Sequence, residues 1–167
     1  LENMSKNNIG SKISLYKRAV SSKSGKHHFV RVLGNTTGSH LAGAKSKPYG
    51  KLEKFAVDVD GIDQIIGKFD LVKLDIEGQE LEAIKGAKET LISNKNIKII
   101  FELNIAYSRD GIEFAKEIYK ELNKLNFSNF EALLDPRISI KNLDSLENIE
   151  LLKKITNRYN VNIMATR

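Results

Sequence analysis

Residues 69–80, FDLVKLDIEGQE, constrain this chain more than any other stretch. Phe69, Leu71, Val72, Leu74 and Ile76 crowd apolar side chains into a short run between Gly67 and Gly78. Such density over so few residues predicts a strand buried on both faces. From Gln79 the spacing changes, and Leu81, Ile84, Ala87, Leu91 and Ile92 recur every three or four residues, the period of a helix. Asp75 and Glu77 then lie at the C-terminal end of the strand, where open parallel α/β sheets bind ligands. An acid just ahead of a helix also serves as a cap or a dipole partner, which suits Glu77 as well as a site does. Asp75 precedes the helix by several residues and fits that role poorly. Lys73 must reach the rim or meet a carboxylate, because an unpaired buried ammonium is costly.

The flanking segments extend the alternation. Residues 1–9 read as the end of a helix closed by Gly10, and residues 12–20, KISLYKRAV, alternate as a strand ending in Ala19 and Val20. Residues 28–33 form a second strand, antiparallel to a neighbour, and 54–59 a third. Between them, 34–50 is rich in Gly, Ser, Thr and Lys and is expected to be a mobile loop. Residues 60–66 read as a short helix. Gly86 should break or kink the helix that follows the organising strand, since glycine costs about 1 kcal/mol in a helix interior. Residues 97–103, IKIIFEL, form another buried strand that ends in Glu102 and Asn104. A helix capped by Asp110 follows, then a strand over 130–134, a helix over 144–155 and a last strand over 161–165. Strands alternating with helices predict a mostly parallel, doubly wound sheet, into which the last strand can insert antiparallel.

Composition narrows the function. The 167 residues contain no cysteine, which excludes a disulfide scaffold, a zinc–cysteine site and a cysteine nucleophile, and fits a cytoplasmic protein. No apolar run approaches the roughly 20 residues of a membrane span. The net charge of +6 comes from lysines spread along the chain, with no basic run interleaved with aromatics, so nucleic acid is not the expected partner. Oligomeric state is not readable from these features. His27 and His28 point to opposite faces of any strand and cannot easily share a metal. Neither a Gly-x-Ser-x-Gly elbow nor a Gly-x-Gly-x-x-Gly loop is present.

If the strands over 69–76 and 97–103 are neighbours, Asp75, Glu77, Glu102 and Asn104 converge on one rim. Converging carboxylates raise one another's pKa and can also bind a hard divalent cation. Caps and surface acids remain the alternative for each residue taken singly.

The run FDLVKLDIEGQELEAIKGAKETL, followed by IKIIFELN, resembles the FkbM-type S-adenosylmethionine-dependent methyltransferases. Lys73, Asp75, Glu77, Gly78, Glu80, Leu81, Gly86 and Ala87 match that family's signature. The segment ISLYKRAVSSKSGK resembles its third strand, and VNIMAT its closing strand. The resemblance implies a Rossmann-like class I methyltransferase fold, mostly parallel with an antiparallel last strand. The glycine-rich loop and ribose-binding acid of the family have no counterpart here, so the expected domain is 1–167 as a single partial methyltransferase domain, lacking the first βαβ unit. The implied activity is methyl transfer from S-adenosylmethionine to an oxygen of a small-molecule or glycan acceptor. Asp75, Glu77 and Glu102 are then the catalytic candidates, with Asp75 a general base or a ligand orienting the hydroxyl. Glu77 either positions substrate or bonds the amides of the Gly78 turn. Ala19, Val20 and Asp75 are the cofactor-binding candidates, the two small residues lining the adenine side. No metal is assigned, although Asp75, Glu102 and Asn104 could hold magnesium or calcium. A non-catalytic binding module, or an inactive fragment with a basic surface, is the competing expectation.

Overall fold

A computed structural model describes residues 2–45, 50–104, 111–140 and 160–167, with 145, 147, 148 and 150. The organising stretch forms β5 (Leu71–Leu74), a turn, and then two short helices, α2 (Glu80–Lys85) and α3 (Lys88–Ser93). Gly86 caps α2 and supplies the expected break. Residues 97–103 fall in β6 (Lys98–Asn104), which pairs with β5 in parallel, Leu74 lying opposite Phe101. The amphipathic segment that follows is α4 (Gly111–Lys124). Strands β7 (Asn129–Ala132), β8 (Ile138–Ile140) and β9 (Asn160–Thr166) complete a five-stranded sheet of order β5-β6-β9-β7-β8.

The sheet is mixed, not mostly parallel. Strand β9 inserts between β6 and β7 and runs against both. Strands β5, β6 and β7 therefore share a direction, yet only the β5–β6 pairing is parallel, because the inserted strand makes its own two contacts antiparallel and β8 adds a hairpin to β7. The antiparallel insertion of the last strand is as expected; the parallel sheet around it is shorter than expected.

One face of this sheet carries the core. Ile99, Phe101 and Leu103 of β6, Phe130 and Ala132 of β7, and Val161, Ile163 and Ala165 of β9 are buried in one cluster with residues of α2, α3 and α4. Phe101, Phe127 and Phe130 are almost wholly enclosed, each contributing roughly 1.5–3 kcal/mol. Strand β5 is not buried on both faces. Its one strand partner among the described residues is β6, so Leu71 and Lys73 stay exposed while Leu74 is buried.

A second sheet, unforeseen as a unit, has the order β1-β4-β2-β3. Strands β2 (Gly25–Leu33) and β4 (Lys51–Asp60) form its long antiparallel pair. The strand expected over 12–20 shrinks to β1 (Ala19–Val20), parallel to the end of β4. Ile13, Leu15 and Tyr16 are exposed and lie outside the described strands. The segment expected to be a loop carries a tight turn at Thr36–Gly38 and the buried two-residue strand β3 (His40–Leu41). The short helix expected at 60–66 is a single turn, Ile62–Gln64. A five-residue helix, α1 (Glu2–Lys6), opens the described chain. The Asp110 cap and most of the 144–155 helix lie outside the described residues. Among the described residues, no helix is long and apolar enough to cross a membrane.

Candidate active site

The turn between β5 and α2 follows from three residues. Glu77 adopts φ 58°, a left-handed conformation that a non-glycine residue enters at a cost, and Gly78 follows at φ 95°. A side chain on Gly78 would also press on the Ala44 carbonyl oxygen, at 3.1 Å from the added carbon. Glu80 then folds back, its carboxylate accepting the Ile76 N–H at 3.0 Å. The Glu80 side chain is buried, and burial holds its pKa above the ordinary carboxylate value against the opposing pull of the Ile76, Glu80 and Gly78 amides. The amide-binding role considered for Glu77 is thus performed by Glu80.

Glu77 instead forms an ion pair with Lys45, which comes from the segment after β3. Both side chains are about three-quarters buried. Lys73 resolves its difficulty as expected: it lies 3.1 Å from Asp75 with its ammonium partly in solvent. Glu102 lies on the adjacent strand and takes a hydrogen bond from Asn160 at 3.1 Å. Its pKa is raised, first by burial and then by the Asp75 charge, with a smaller contribution from Glu77. The three carboxylates therefore share one rim. Among the described residues no three His, Cys, Asp or Glu side chains stand close enough together to hold a metal ion.

A cavity of about 550 Å³ opens beside this rim, between the two sheets. Ala19, Val20, Asp75 and Glu77, expected from the sequence as site residues, all line it. Glu102 stands one strand away and is not among the lining residues. Phe29, Leu41 and Ile76 add apolar wall; Arg18, His40 and Gln79 add polar groups. A cavity of about 440 Å³ lies at the opposite end of β5, around Phe69, Asp70, Asn94 and Lys95, away from the converging carboxylates.

Lys45, Glu80 and His40 escaped sequence reasoning as site residues. Lys45 and His40 sit in the Gly/Ser-rich segment, where no periodicity marks which residues turn inward. Glu80 carried a signal, since it stands three residues after Glu77 at the start of a helical pattern.

The packing behind the cavity accounts for the other two glycines of the region. A carbon added to Gly86 would sit 2.2 Å from the Ser21 carbonyl oxygen, and one added to Gly61 would sit 2.8 Å from the Gly86 oxygen. These backbone approaches bring the four-stranded sheet against α2, where Ser22 also donates a hydrogen bond to Glu82.

The methyltransferase FkbM domain model matches residues 1–128. No curated protein matches the chain. Among solved structures, the crystal structure of methyltransferase FkbM from Methylobacillus flagellatus KT is similar, with a TM-score of 0.54 at 14% identity over 98% of this chain. The chain spans 31% of that protein's length. With the family model covering most of its residues, this chain belongs to the FkbM methyltransferase domain family.

Proposed function

We propose that residues 1–167 form part of an S-adenosylmethionine-dependent O-methyltransferase domain whose acceptor is a sugar or polysaccharide-linked hydroxyl. The observation that carries this reading is the cavity at the C-terminal end of β5, which gathers Ala19, Val20, Asp75 and Glu77. Its volume of about 550 Å³ lies within the range of small-molecule clefts. The residues present fit the cofactor in kind. Ala19 and Val20 end a strand with small apolar groups that leave room for a flat purine, and Ile76 adds a further apolar surface. Asp75 offers carboxylate oxygens at the strand tip, where a diol or an acceptor hydroxyl can be oriented. When bound, S-adenosylmethionine supplies an electrophilic methyl group. The protein's own task is chiefly to align the acceptor hydroxyl, and alignment alone can supply several kcal/mol of the barrier reduction.

In this reading Asp75 orients, Glu77 fixes the wall of the cavity through Lys45, and Glu102 sets the charge of the rim from the neighbouring strand. Calorimetric titration with S-adenosylmethionine, with labelled-methyl transfer to sugar acceptors, tests it on the complete wild-type protein and on its Asp75→Asn variant. Cofactor binding by both proteins with turnover lost in the variant is expected. An absence of cofactor binding by the wild type removes the enzyme and leaves the binding module. Unchanged turnover in Asp75→Asn removes the role of Asp75.

A further inference from the structure

His40 lines the cavity with its hydrogen bonding half complete. The residue is 2% exposed, on the two-residue strand β3. Nδ1 lies 2.9 Å from the Gly38 carbonyl oxygen. A carbonyl can only accept, so Nδ1 carries the proton, and in the neutral ring Nε2 keeps its lone pair. Among the described residues Nε2 has no hydrogen-bond partner, and it is not sealed from solvent. An imidazole in the wall of a ligand-sized cavity, with one nitrogen fixed and the other open, is placed for work on a ligand.

The ring is held firmly. The Ser39 hydroxyl accepts the Val32 N–H at 3.1 Å, and the Ala42 N–H bonds the His28 carbonyl at 2.9 Å, so the residues on both sides of His40 are tied to β2. The other ionisable groups of the cavity wall are already engaged. Arg18 pairs with Asp60 at 2.8 Å, Asp75 with Lys73, and Glu77 with Lys45. Imidazole is also intrinsically a stronger base than a carboxylate.

We infer that His40 is the base that accepts the proton of the acceptor hydroxyl, through Nε2. This rests on the methyltransferase reading above. The hydroxyl O–H bond breaks, its proton forms the Nε2–H bond, and the oxygen keeps the electron pair with which it takes the methyl group. The resulting imidazolium donates to Gly38 through Nδ1, as the neutral ring does, and loses its new proton to water.

Long-range proton–nitrogen correlation spectra of the labelled protein test this directly. His40→Asn assigns the signals, and its side-chain amide can keep the donor to Gly38 while removing Nε2. The expected spectrum places the proton of the neutral His40 ring on Nδ1. With S-adenosylhomocysteine bound, methyl α-glucoside, as the hydroxyl probe, should shift the Nε2 resonance. His40→Asn should keep its affinity for S-adenosylhomocysteine within about twofold and lose about 10²–10⁴-fold in methyl transfer, the range for a general base. A proton on Nε2 in the neutral ring, an Nε2 resonance unmoved by the glucoside, or undiminished transfer in the variant overturns the role of His40 alone. Failure of the complete wild-type protein to bind S-adenosylhomocysteine removes the methyltransferase reading, and the role of His40 with it.

Discussion

Gly86→Ala offers a test in which the two possible outcomes have opposite signs. Gly86 has φ −79° and ψ 1°, a conformation open to alanine. On backbone entropy alone, the substitution should stabilise by about 0.4–1 kcal/mol. Packing opposes this, because the added carbon would sit 2.2 Å from the Ser21 oxygen, 3.0 Å from the Ser21 carbonyl carbon and 3.2 Å from Gly61 Cα. All three are backbone atoms and cannot rotate away. Ser21 is held by its N–H to the Asp60 carbonyl at 3.1 Å, and the Gly86 oxygen accepts the Asp63 N–H at 3.0 Å. The sheet and helix must therefore separate, and overpacking of this kind costs about 1–3 kcal/mol or somewhat more. The contact is backbone against backbone, so the upper part of that range applies and the net loss should be about 2 kcal/mol. With a urea dependence of about 1–3 kcal/mol per molar, the unfolding midpoint should fall by roughly 1 M at unchanged slope. Gly61→Ala strains the same contact, so the double variant should lose less than the sum of the two. A midpoint that rises or stays fixed in Gly86→Ala would refute the close approach.

Three further outcomes follow from single contacts. The Asp63 carboxylate accepts the Glu89 and Thr90 N–H groups at 3.1 and 2.8 Å and so caps α3 from outside the helix; Asp63→Ala should cost about 1 kcal/mol in urea unfolding. The Glu80 pKa is raised above 4.5 by burial, so the native state holds that proton more tightly than the unfolded chain, and stability from this residue falls as pH rises from 4.5 through the raised value. Wild-type stability should therefore decline relative to Glu80→Gln across that window in urea titrations at stepped pH; a constant difference would show that the carboxyl is not perturbed. Arg167 donates to the Leu91, Asn94 and Leu125 carbonyls and stacks 4.6 Å from the Phe127 ring centre, so Arg167→Lys should lose about 1–2 kcal/mol by thermal or urea unfolding, since an ammonium cannot reproduce a planar fork.

The sequence made the helical and strand segments around 69–104 legible because periodicity there is dense and the glycines mark its ends. Asp75 and Glu77 could be placed at a strand tip from order alone, and the Lys73–Asp75 pair from the cost of burying an ammonium. The limits of β1 were not legible, since Ile13, Leu15 and Tyr16 alternate like a strand but pair with no strand among the described residues. Strand directions depend on where β9 inserts, which is a long-range choice that local pattern does not encode. His40 and Lys45 were hidden for a similar reason. Their segment is polar and glycine-rich, and only the pairing of β3 with β2 decides that His40 turns inward.

The Glu77 turn ties these observations together. A left-handed residue there costs about 1–2 kcal/mol, and glycine would remove that cost. The chain instead spends its glycine on position 78, where the Ala44 carbonyl approaches too closely for a side chain, and keeps a carboxylate on the strained residue. That carboxylate binds Lys45, from the segment that follows Leu41 and His40. Glu80, from the other side, holds the amide of Ile76, so the turn is clamped at both ends. The ion pair and the Gly78–Ala44 approach thus fasten the four-stranded sheet to the tip of β5, and the cavity lies between them, with Asp75 on one wall and His40 on the other. The small sheet is therefore half of the candidate site, and the strain at Glu77 is offset by the contacts that join its two halves.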